Sequence, residues 1–436
     1  MQKKQKSTGL IWFTNNLRVR DNSSIELACE KHEQVIAIYV FDKHIFERNL
    51  FGFKKIERYR ANFLLETVRD LKEHLAQKNI TLLTYFDFPE VVIPKICETH
   101  LVKEIFTQKE WTTEEIDIFK KVASKLTDEC TITDSYDQFL YHPEDINMDL
   151  KSIPAVFTNF RKKVEKYASI RSESNSVHKE VSNRIVNNTK LPDLQELGYS
   201  EVKTDPRSAF PFHGGESEAL KRMDYYFFES KKLSVYKQTR NGLIGTDYSS
   251  KLSPWLANGS ISAKTIYWKI KEYETENGAN DSTYWLIFEL IWRDYFKFIS
   301  LKHGNALFKI DGILEKHYEW KSEEKLVQKW IHGQTNAPFV NANMIELKAT
   351  GFMSNRGRQN VASYFSKELL LDWRIGAAYF ESMLIDYDVH SNYGNWLYIS
   401  GVGNDPRDRK FNIERQAERY DPDNQYQNKW LQNHLF

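Results

Sequence analysis

The most apolar helical stretch of the chain reads DSTYWLIFELIWRDYFKFISLKH and spans residues 281–303. Its apolar residues cover most of the helix circumference, which is typical of a helix buried inside a domain. Two charged residues, Glu289 and Arg293, lie four positions apart within it. That spacing is ordinary on an exposed helix, but charges in an apolar helix must be paired or serve a ligand. We therefore predict a functional role for both residues.

Helical periodicity prevails from about residue 206 onward and predicts an all-α domain over residues 206–436. Within it, the predicted helix RIGAAYFESMLI at 374–385 is followed by DYDVHSNYGNWLY at 386–398. A helix C-terminus favours cations because its free carbonyls carry partial negative charge. Asp386 and Asp388 nevertheless lie at or just past this end, so local electrostatics does not explain them.

The first part of the chain alternates between two kinds of pattern over residues 9–135. The short β-rich runs are GLIWFT, VIAIYVFD, ITLLTYF and LVKEIFTQ, and amphipathic helical stretches separate them. This alternation predicts a parallel, Rossmann-like sheet with crossover helices, an α/β domain over residues 1–135. Residues 136–205 turn polar and irregular, which predicts an interdomain linker with at most short helices.

Composition excludes several classes of protein. The 436 residues carry a net charge of +1, so any basic surface for nucleic acid must be local. No run reaches the ~18 uncharged apolar residues of a membrane span, and the start lacks a secretory signal. Cys29, Cys97 and Cys130 share no close spacing, which favours a reducing cytoplasm and argues against a metal site. Most of the eleven tryptophans are expected in the cores.

A serine-rich segment, SSKLSPWLANGS at 249–260, has the features of a helix entry. Ser253 and Pro254 are a typical N-cap and first-turn pair, and Gly259 suits the helix end. A serine-rich loop at a helix N-terminus can bind an anion. The alternative is an ordinary cap without a ligand.

A second polar segment, GFMSNRGRQN at 351–360, precedes another apolar helix. It places Asn355, Arg356, Arg358 and Gln359 together, and such a cluster predicts recognition of an anion or a phosphate. The alternative is a set of solvated arginines. The chain has no Walker loop, GxGxxG, HExxH or GxSxG, so these motifs support no nucleotidase, Rossmann dehydrogenase, zincin or esterase.

These segments, in this order, resemble the photolyase/cryptochrome family, and specifically its DASH-type cryptochromes. The resemblance runs from residue 9 almost to the C-terminus and is strongest over residues 236–405. The variants NRGRQN and NWLY point to the DASH branch. The resemblance implies an N-terminal α/β antenna domain, a long linker and a helical domain that binds FAD.

The resemblance also implies which residues hold the FAD, folded in a U inside the helical domain. Asp386 and Asp388 should meet its ring and ribose side, and Asp386 could pair with Arg358. Asn392 should face flavin N5, where an amide can donate or accept a hydrogen bond. The other residues implied to bind the cofactor are Tyr236, Ser249, Ser250, Lys251, Leu252, Ser253, Glu289, Arg293, Asn355 and Tyr387.

Three tryptophans match the electron-transfer chain of the family, namely Trp396, Trp373 and Trp320. By the same resemblance, Asn355 and Asn392 count with them as catalytic. The alternative for the three rings is core packing.

On the substrate side, the resemblance implies that Glu289 contacts the bases of a flipped pyrimidine dimer, Trp292 packs against it and Arg356 holds a phosphate. Tyr398 and Gln359 stand where duplex-acting relatives have a Trp and a Met. A smaller stacking surface makes it harder to offset the cost of extruding bases from a duplex. The resemblance therefore implies single-stranded DNA as the preferred substrate, with RNA as an alternative.

The antenna domain departs from the common family pattern, with Thr14 in place of an Arg and Asn16 in place of an Asp. DASH relatives usually carry 5,10-methenyltetrahydrofolate. Glu110 aligns with the acid that binds the pterin, and Glu114 is the fallback. The alternative for either residue is a solvated surface acid.

The resemblance favours a light-driven lyase that splits cyclobutane pyrimidine dimers with an electron from reduced FAD, acting as a cytoplasmic monomer. The alternatives are a blue-light receptor that signals through flavin photoreduction, and a repair-inactive nucleic-acid binder. The chain ends at NKWLQNHLF without a long extension, which favours the enzyme because plant-type receptors signal through such tails.

Overall fold

A computed structural model describes residues 7–175, 177–405 and 407–432. Its first part is a parallel sheet with strand order β3-β2-β1-β4-β5. The strands are β1 Thr8–Phe13, β2 Gln34–Asp42, β3 Thr81–Asp87, β4 Val102–Gln108 and β5 Thr131–Ser135. The first four coincide with the predicted runs. The sequence missed β5 because this edge strand, TITDS, is short, polar and mostly accessible to solvent.

Helices cover both faces of the sheet and build the rest of the chain. The α-helices are α1 Ser23–Lys31, α2 Arg58–Gln77, α3 Pro89–Thr99, α4 Thr113–Ala123, α5 Phe157–Tyr167, α6 Glu216–Asp224, α7 Tyr236–Thr239, α8 Ser253–Ala257, α9 Ala263–Asn277, α10 Asp281–His303, α11 Glu324–Ile331, α12 Pro338–Thr350, α13 Asn355–Ser363, α14 Trp373–Met383, α15 Val389–Ser400, α16 Ile413–Tyr420 and α17 Gln425–Leu431.

Side-chain alternation along β1 divides the core of the α/β domain into two layers. Ile11 and Phe13 pack with residues of α1 and α2, whereas Leu10 and Trp12 pack with residues of α3 and α4. All residues of β1 are buried. The predicted α/β fold with a parallel sheet and crossover helices is therefore confirmed.

Helix α10 is the central helix of the second part and covers the residues predicted for it. Asn280 and Thr283 form a capping box at its start. The helix contacts α5, α7, α9 and α15. Its buried Asp294 accepts hydrogen bonds from the backbone N–H groups of Leu140 and Tyr141, so it fastens the segment that follows the sheet to the helical part.

The segment predicted as a linker lies along the α/β domain and carries helix α5. The side chain of Asn183 both donates to the carbonyl oxygen and accepts from the N–H of Val35, at 2.8 Å each. Lys179 donates to the carbonyl oxygens of Cys29 and His32. These bonds attach the segment to β2 and to the end of α1.

The two parts meet closely where α8 ends. Gly259 has a φ of +73°, and a Cβ there would lie 1.9 Å from the carbonyl oxygen of Asn15. Arg18 donates to the carbonyl of Gly259, and the N–H of Leu17 donates to that of Asn258. A glycine is thus required here both by its conformation and by the contact.

Among the residues that the structure describes, no helix combines the length and apolar character needed to cross a membrane. The described ranges also contain no group of three or more His, Cys, Asp or Glu side chains arranged to hold a metal ion. Cys29, Cys97 and Cys130 are buried and free of disulfide bonds.

Candidate cofactor site

A cavity of about 260 Å³ lies inside the helical part, between α7, the loop before α8, α10, α13 and the residues before α15. Twelve residues predicted from the sequence to bind cofactor line it. They are Tyr236, Ser249, Ser250, Lys251, Leu252, Ser253, Glu289, Arg293, Asn355, Arg358, Asp386 and Asp388. Segments more than 150 positions apart in sequence therefore converge on one space.

Asp386 is held at the cavity wall by two groups. Its Oδ2 accepts from Arg358 Nη2 at 2.9 Å and from the Ser253 hydroxyl at 2.7 Å. The predicted N-cap role of Ser253 is therefore wrong: it is the first residue of α8, Leu252 holds the cap position, and its hydroxyl turns to Asp386. The other oxygen, Oδ1, is buried and has no hydrogen-bond partner among the described residues. Such an acceptor fits a ligand that brings an N–H or O–H group.

The position of Asp388 just after one helix is explained by the helix that follows it. Asp388 is the N-cap of the next helix, α15, and its Oδ1 accepts from the backbone N–H of Ser391 at 2.7 Å. Its Oδ2 accepts from the buried Lys297 ammonium at 3.0 Å. Burial would raise the pKa of Asp388, but the charge of Lys297, other nearby positive charges and the hydrogen bond from Ser391 together outweigh this effect and hold the pKa well below its usual value.

Lys251 brings a buried positive charge to the cavity without a matching acid. Its Nζ lies 3.2 Å from the ring centroid of Tyr248 and 4.8 Å from that of Phe352. It has no hydrogen-bond partner in the described part of the chain. Burial holds its pKa well below the usual value. Together with Arg293, Arg358 and three serines, this lysine suits a diphosphate, which would supply the missing acceptor.

Glu289 and Arg293, although one helical turn apart, have different partners. The Glu289 carboxylate accepts from Arg240 Nη1 at 2.5 Å. The guanidinium of Arg293 donates to the backbone carbonyls of Gln138 and Leu256. Burial raises the pKa of Glu289, and the Arg240 charge opposes this rise. The carboxylate therefore sits at the cavity with one ion-pair partner.

Trp292, Arg356, Gln359 and Tyr398, which are predicted to lie on the substrate side, are not among the residues that line this cavity. Trp292 stacks on Phe157 with ring centroids 3.6 Å apart, and the ring of Tyr398 meets it edge-on at 6.0 Å. Arg356 donates to Asn241 Oδ1 at 3.0 Å and lies 4.5 Å from the Tyr420 ring. Arg356 and Gln359 are half-buried on α13, and Asn355 is exposed.

The three predicted chain tryptophans belong to one apolar cluster. Trp396 and Trp373 are buried, with 1% and 0% exposure, and Trp320 is half-buried at the margin. Trp396 packs against Gly376 of α14, one turn after Trp373. Backbone pairing of Lys321 with Leu371 holds Trp320 near the start of α14.

Asn392 is buried on α15 but does not line the cavity, and its amide donates to the carbonyl of Ala377 at 3.0 Å. Arg240 and Lys297 were not predicted as site residues, although each pairs with a predicted acid. Lys297 could have been found, because it continues the four-residue spacing of Glu289 and Arg293 along α10.

A larger cavity, about 630 Å³, lies between the α/β domain and the helical part. Tyr387 and Glu110 lie on this cavity, and it shares Ala257, Arg293 and Asp388 with the smaller one. Its carboxyl groups are those of Glu110, Glu114, Glu115, Glu381 and Asp388.

The acids from the start of α4 differ in their surroundings. Glu110 accepts from Gln108 at 2.8 Å and from Asn15 at 3.2 Å, and burial raises its pKa. Glu114 pairs with Lys55 and its side chain is 68% exposed. Burial, with the neighbouring acids Glu110 and Glu114, raises the pKa of Glu115 to about 8. Glu115 was missed in the sequence, although the run KEWTTEE contains it.

A sheet domain joined to a helical domain with a cationic, serine-lined cavity defines a nucleotide-cofactor protein of the photolyase type. The sequence family described as DNA photolyase matches residues 9–179, and the FAD binding domain of DNA photolyase matches residues 285–434.

Curated relatives are more specific. The chain is 45% identical to Cryptochrome DASH of Gloeobacter violaceus, over 97% of this chain and 85% of the relative, and 44% identical to that of Xenopus laevis, over 96% and 81%. The crystal structure of Synechocystis sp. PCC6803 cryptochrome has a TM-score of 0.93 at 43% identity, covering 99% of this chain and 89% of that one. The chain therefore belongs to the cryptochrome DASH group of the photolyase/cryptochrome family.

This membership confirms the predicted resemblance and supports FAD as the cofactor and DNA as a partner in general. The chemistry of the smaller cavity agrees with it. Lys251 Nζ and Asp386 Oδ1 are buried polar atoms without a partner among the described residues, one suited to a phosphate and the other to a donor.

Proposed function

We propose that the protein repairs cyclobutane pyrimidine dimers, preferentially in single-stranded DNA, in a light-dependent lyase reaction. The observation that carries this proposal is the position of Glu289, which lines the FAD cavity on α10 one turn before Trp292. Bound FAD in its reduced form supplies the electron that splits the dimer and accepts it back. The chain's task is to hold the dimer against the cavity.

Each residue of the proposed substrate surface has a distinct task. Glu289, which is ion-paired with Arg240, offers its carboxyl group to the bases of the dimer as a hydrogen-bonding partner. Trp292, fixed by its stack on Phe157, offers a rigid face for a base. Arg356 supplies a positive charge for a phosphate, and Gln359 and Tyr398 complete the surface.

The strand preference follows from the balance of base flipping. Stacking of a base on an aromatic ring is worth ~1–3 kcal/mol, and extrusion from a duplex costs a few kcal/mol. Tyr398 offers a smaller face than the Trp of duplex-acting relatives. A single strand has no pairing to break, so it is the better substrate, and RNA is the secondary candidate.

Two further assignments belong to this proposal. Trp396, Trp373 and Trp320 carry electrons from the surface toward the flavin, with Asn355 and Asn392 near its ring.

The larger cavity holds 5,10-methenyltetrahydrofolate as antenna, with Glu110 as the pterin-binding acid. The ion pair and the high exposure of Glu114 favour Glu110 over it. The protein acts as a cytoplasmic monomer.

The second candidate is a blue-light receptor that uses the same pocket and the same tryptophans. It is favoured by the names of the relatives, which are cryptochromes. The buried cluster around Trp396 and Trp373 serves photoreduction in either case.

The deciding experiment is repair of a defined thymine dimer, in single-stranded and duplex oligonucleotides, under blue light and in the dark. We expect light-dependent repair that is faster on the single strand, and its loss in Glu289→Ala with FAD still bound. Photoreduction of FAD without dimer loss would contradict the lyase and favour the receptor.

A further inference from the structure

A second redox-capable residue lies beside the outermost tryptophan. The rings of Tyr318 and Trp320 have centroids 5.1 Å apart. The Tyr318 hydroxyl donates to Asp408 Oδ2 at 2.7 Å. Lys367 pairs with the other oxygen of Asp408, and its Nζ lies 4.7 Å from the centroid of the Tyr318 ring. We call Tyr318, Lys367 and Asp408 the tyrosine cluster.

The backbone builds the tyrosine cluster against the end of α15, the helix that carries Trp396. Gly401, with a φ of +79°, ends this helix, and a Cβ there would lie 1.9 Å from Asp408 Oδ1. The carbonyl oxygen of Gly401 is also within 3.5 Å of the Tyr318 hydroxyl. The position of the carboxylate therefore depends on a glycine at the helix end.

The charges of the tyrosine cluster keep the carboxylate ionised. Burial favours the neutral form of Asp408, but hydrogen bonds from Lys367 and Tyr318 outweigh it and lower its pKa. Burial, together with the hydrogen bond to Asp408, raises the pKa of Tyr318 to about 12. Tyr318 thus rests as a neutral phenol that donates its proton to a charged acceptor.

A phenol that loses an electron becomes a strong acid, and a carboxylate at hydrogen-bond distance can take its proton at once. The Lys367 ammonium over the ring opposes a positively charged radical there. Loss of the electron and loss of the proton are therefore favoured together.

We propose that Tyr318 is the terminal electron donor of the tryptophan chain, with Asp408 as its proton acceptor. The electron leaves Tyr318 for the oxidised Trp320, which becomes a neutral indole again. The Tyr318 O–H bond breaks, the proton goes to the Asp408 carboxylate, and a neutral tyrosyl radical remains. The ultimate electron acceptor is light-excited oxidised flavin, so the inference rests on the tryptophan route proposed above.

The consequence is a longer-lived charge separation, because the returning electron must be accompanied by a proton. The test is flash excitation of the FAD-loaded full chain, followed by transient absorption and electron paramagnetic resonance, in H₂O and D₂O. We expect a tyrosyl radical whose formation is slower in D₂O. Tyr318→Phe should remove it and leave a tryptophan radical that decays about tenfold faster, a change worth about 1.4 kcal/mol in a barrier.

Two more variants test the role of the hydrogen-bonded pair Tyr318 and Asp408. Asp408→Asn keeps the phenol but removes the base, so it should abolish the D₂O effect and lower the pKa of Tyr318, measured by ultraviolet titration against Tyr318→Phe. Tyr393→Phe is the matched control, because the Tyr393 ring meets Trp373 at 6.1 Å. The tyrosyl radical should survive this change.

The outcomes separate this inference from the tryptophan route. If Trp320→Phe leaves the photoreduction rate unchanged, the route itself fails. If a tryptophan radical forms but its lifetime is the same in Tyr318→Phe and the parent, Tyr318 is not a donor. Loss of the tyrosyl signal in Tyr393→Phe would assign the radical to Tyr393 and overturn the proposal.

Discussion

The two cavities of this protein are built in different ways. The smaller one lies within the helical part, and its acids Asp386, Asp388 and Glu289 each accept a hydrogen bond from a cation. The larger one forms where two domains meet, and burial raises the pKa of three of its acids, Glu110, Glu115 and Glu381. The acids of the smaller cavity have cationic partners before any ligand arrives, whereas Glu110, Glu115 and Glu381 of the larger cavity have pKa values that burial raises. Removal of a cationic partner at the smaller cavity should therefore lower the stability of the protein. Replacement of an acid by a neutral residue at the larger cavity should raise it.

The largest effect is expected from Arg358→Met in the smaller cavity. It leaves Asp386, whose side chain is 2% exposed, without its ion-pair partner. Breaking a buried pair costs about 3–5 kcal/mol, so we expect a comparable loss in the free energy of unfolding, measured by urea denaturation, and weaker FAD retention.

The matched control for that change lies at the larger cavity. Arg374→Met removes a partner of Asp372, but Asp372 still accepts from the N–H of residue 374 as the cap of α14. The pair is partly exposed, so a loss of only about 1 kcal/mol is expected. Equal losses in the free energy of unfolding of the two variants would contradict the proposed difference between the two cavities.

The next effect concerns electron transfer beside the smaller cavity. Trp396→Phe and Trp373→Phe should each slow flavin photoreduction by about tenfold or more, the equivalent of at least about 1.4 kcal/mol in a barrier, with FAD still bound. Trp330→Phe is the control, because Trp330 lies in the same cluster with its ring 6.3 Å from Trp396. Unchanged rates in the first two variants would refute the assigned route.

A third prediction tests the acids of the larger cavity through pH. The pKa of Glu115 is raised to about 8 in the folded chain, above its unfolded value. Its favourable contribution to stability is therefore complete below the unfolded pKa and is lost as pH rises toward 8 and beyond. Glu115→Gln should match the parent at pH 5 and exceed its melting temperature at pH 9, whereas Glu98→Gln, at an exposed site, should follow the parent throughout.

The same cavity should respond to its proposed antenna. Glu110→Ala should remove the near-ultraviolet absorption of bound folate after reconstitution and leave the FAD spectrum in place. Glu114→Ala should retain the folate, because that side chain is largely exposed. If the parent protein never shows the folate band with excess folate present, the antenna assignment is wrong.

The smallest effect is expected from the proposed substrate surface around Tyr398 and Gln359. Tyr398→Trp combined with Gln359→Met should raise duplex repair and affinity more than those for the single strand, by up to about tenfold, since only part of a stack worth ~1–3 kcal/mol is added. Tyr398→Phe, which keeps the ring and loses the contact with Arg409 at 3.3 Å, should leave the ratio unchanged. Equal gains on single-stranded and duplex DNA would show that Tyr398 and Gln359 do not cause the preference for single strands.

Much of this molecule could be predicted from its sequence, because the decisive signals are local. Periodicity predicts α10 and the first four strands, and the resemblance identifies twelve of the residues that line the smaller cavity. The resemblance implied the pair of Arg358 with Asp386, but the other partners were not predicted, because pairing between distant segments leaves little local trace: Arg240 meets Glu289 across 49 positions, and Lys297 meets Asp388 across 91. Ser253 was misassigned for the same reason, since a distant carboxylate outcompetes the local cap.

The contact of Gly259 with Asn15 has an optical consequence. The carbonyl oxygen of Asn15 lies close to Gly259, just after α8, and the side-chain amide of Asn15 donates a hydrogen bond to Glu110. Asn15 thus connects the segment that follows α8 with the proposed antenna acid. Resonance energy transfer falls with the sixth power of the distance between two dyes. If the larger cavity holds the proposed folate, a side chain at position 259, whose Cβ would lie 1.9 Å from the Asn15 carbonyl oxygen, is expected to shift the Asn15 loop and lower the efficiency of transfer to the flavin.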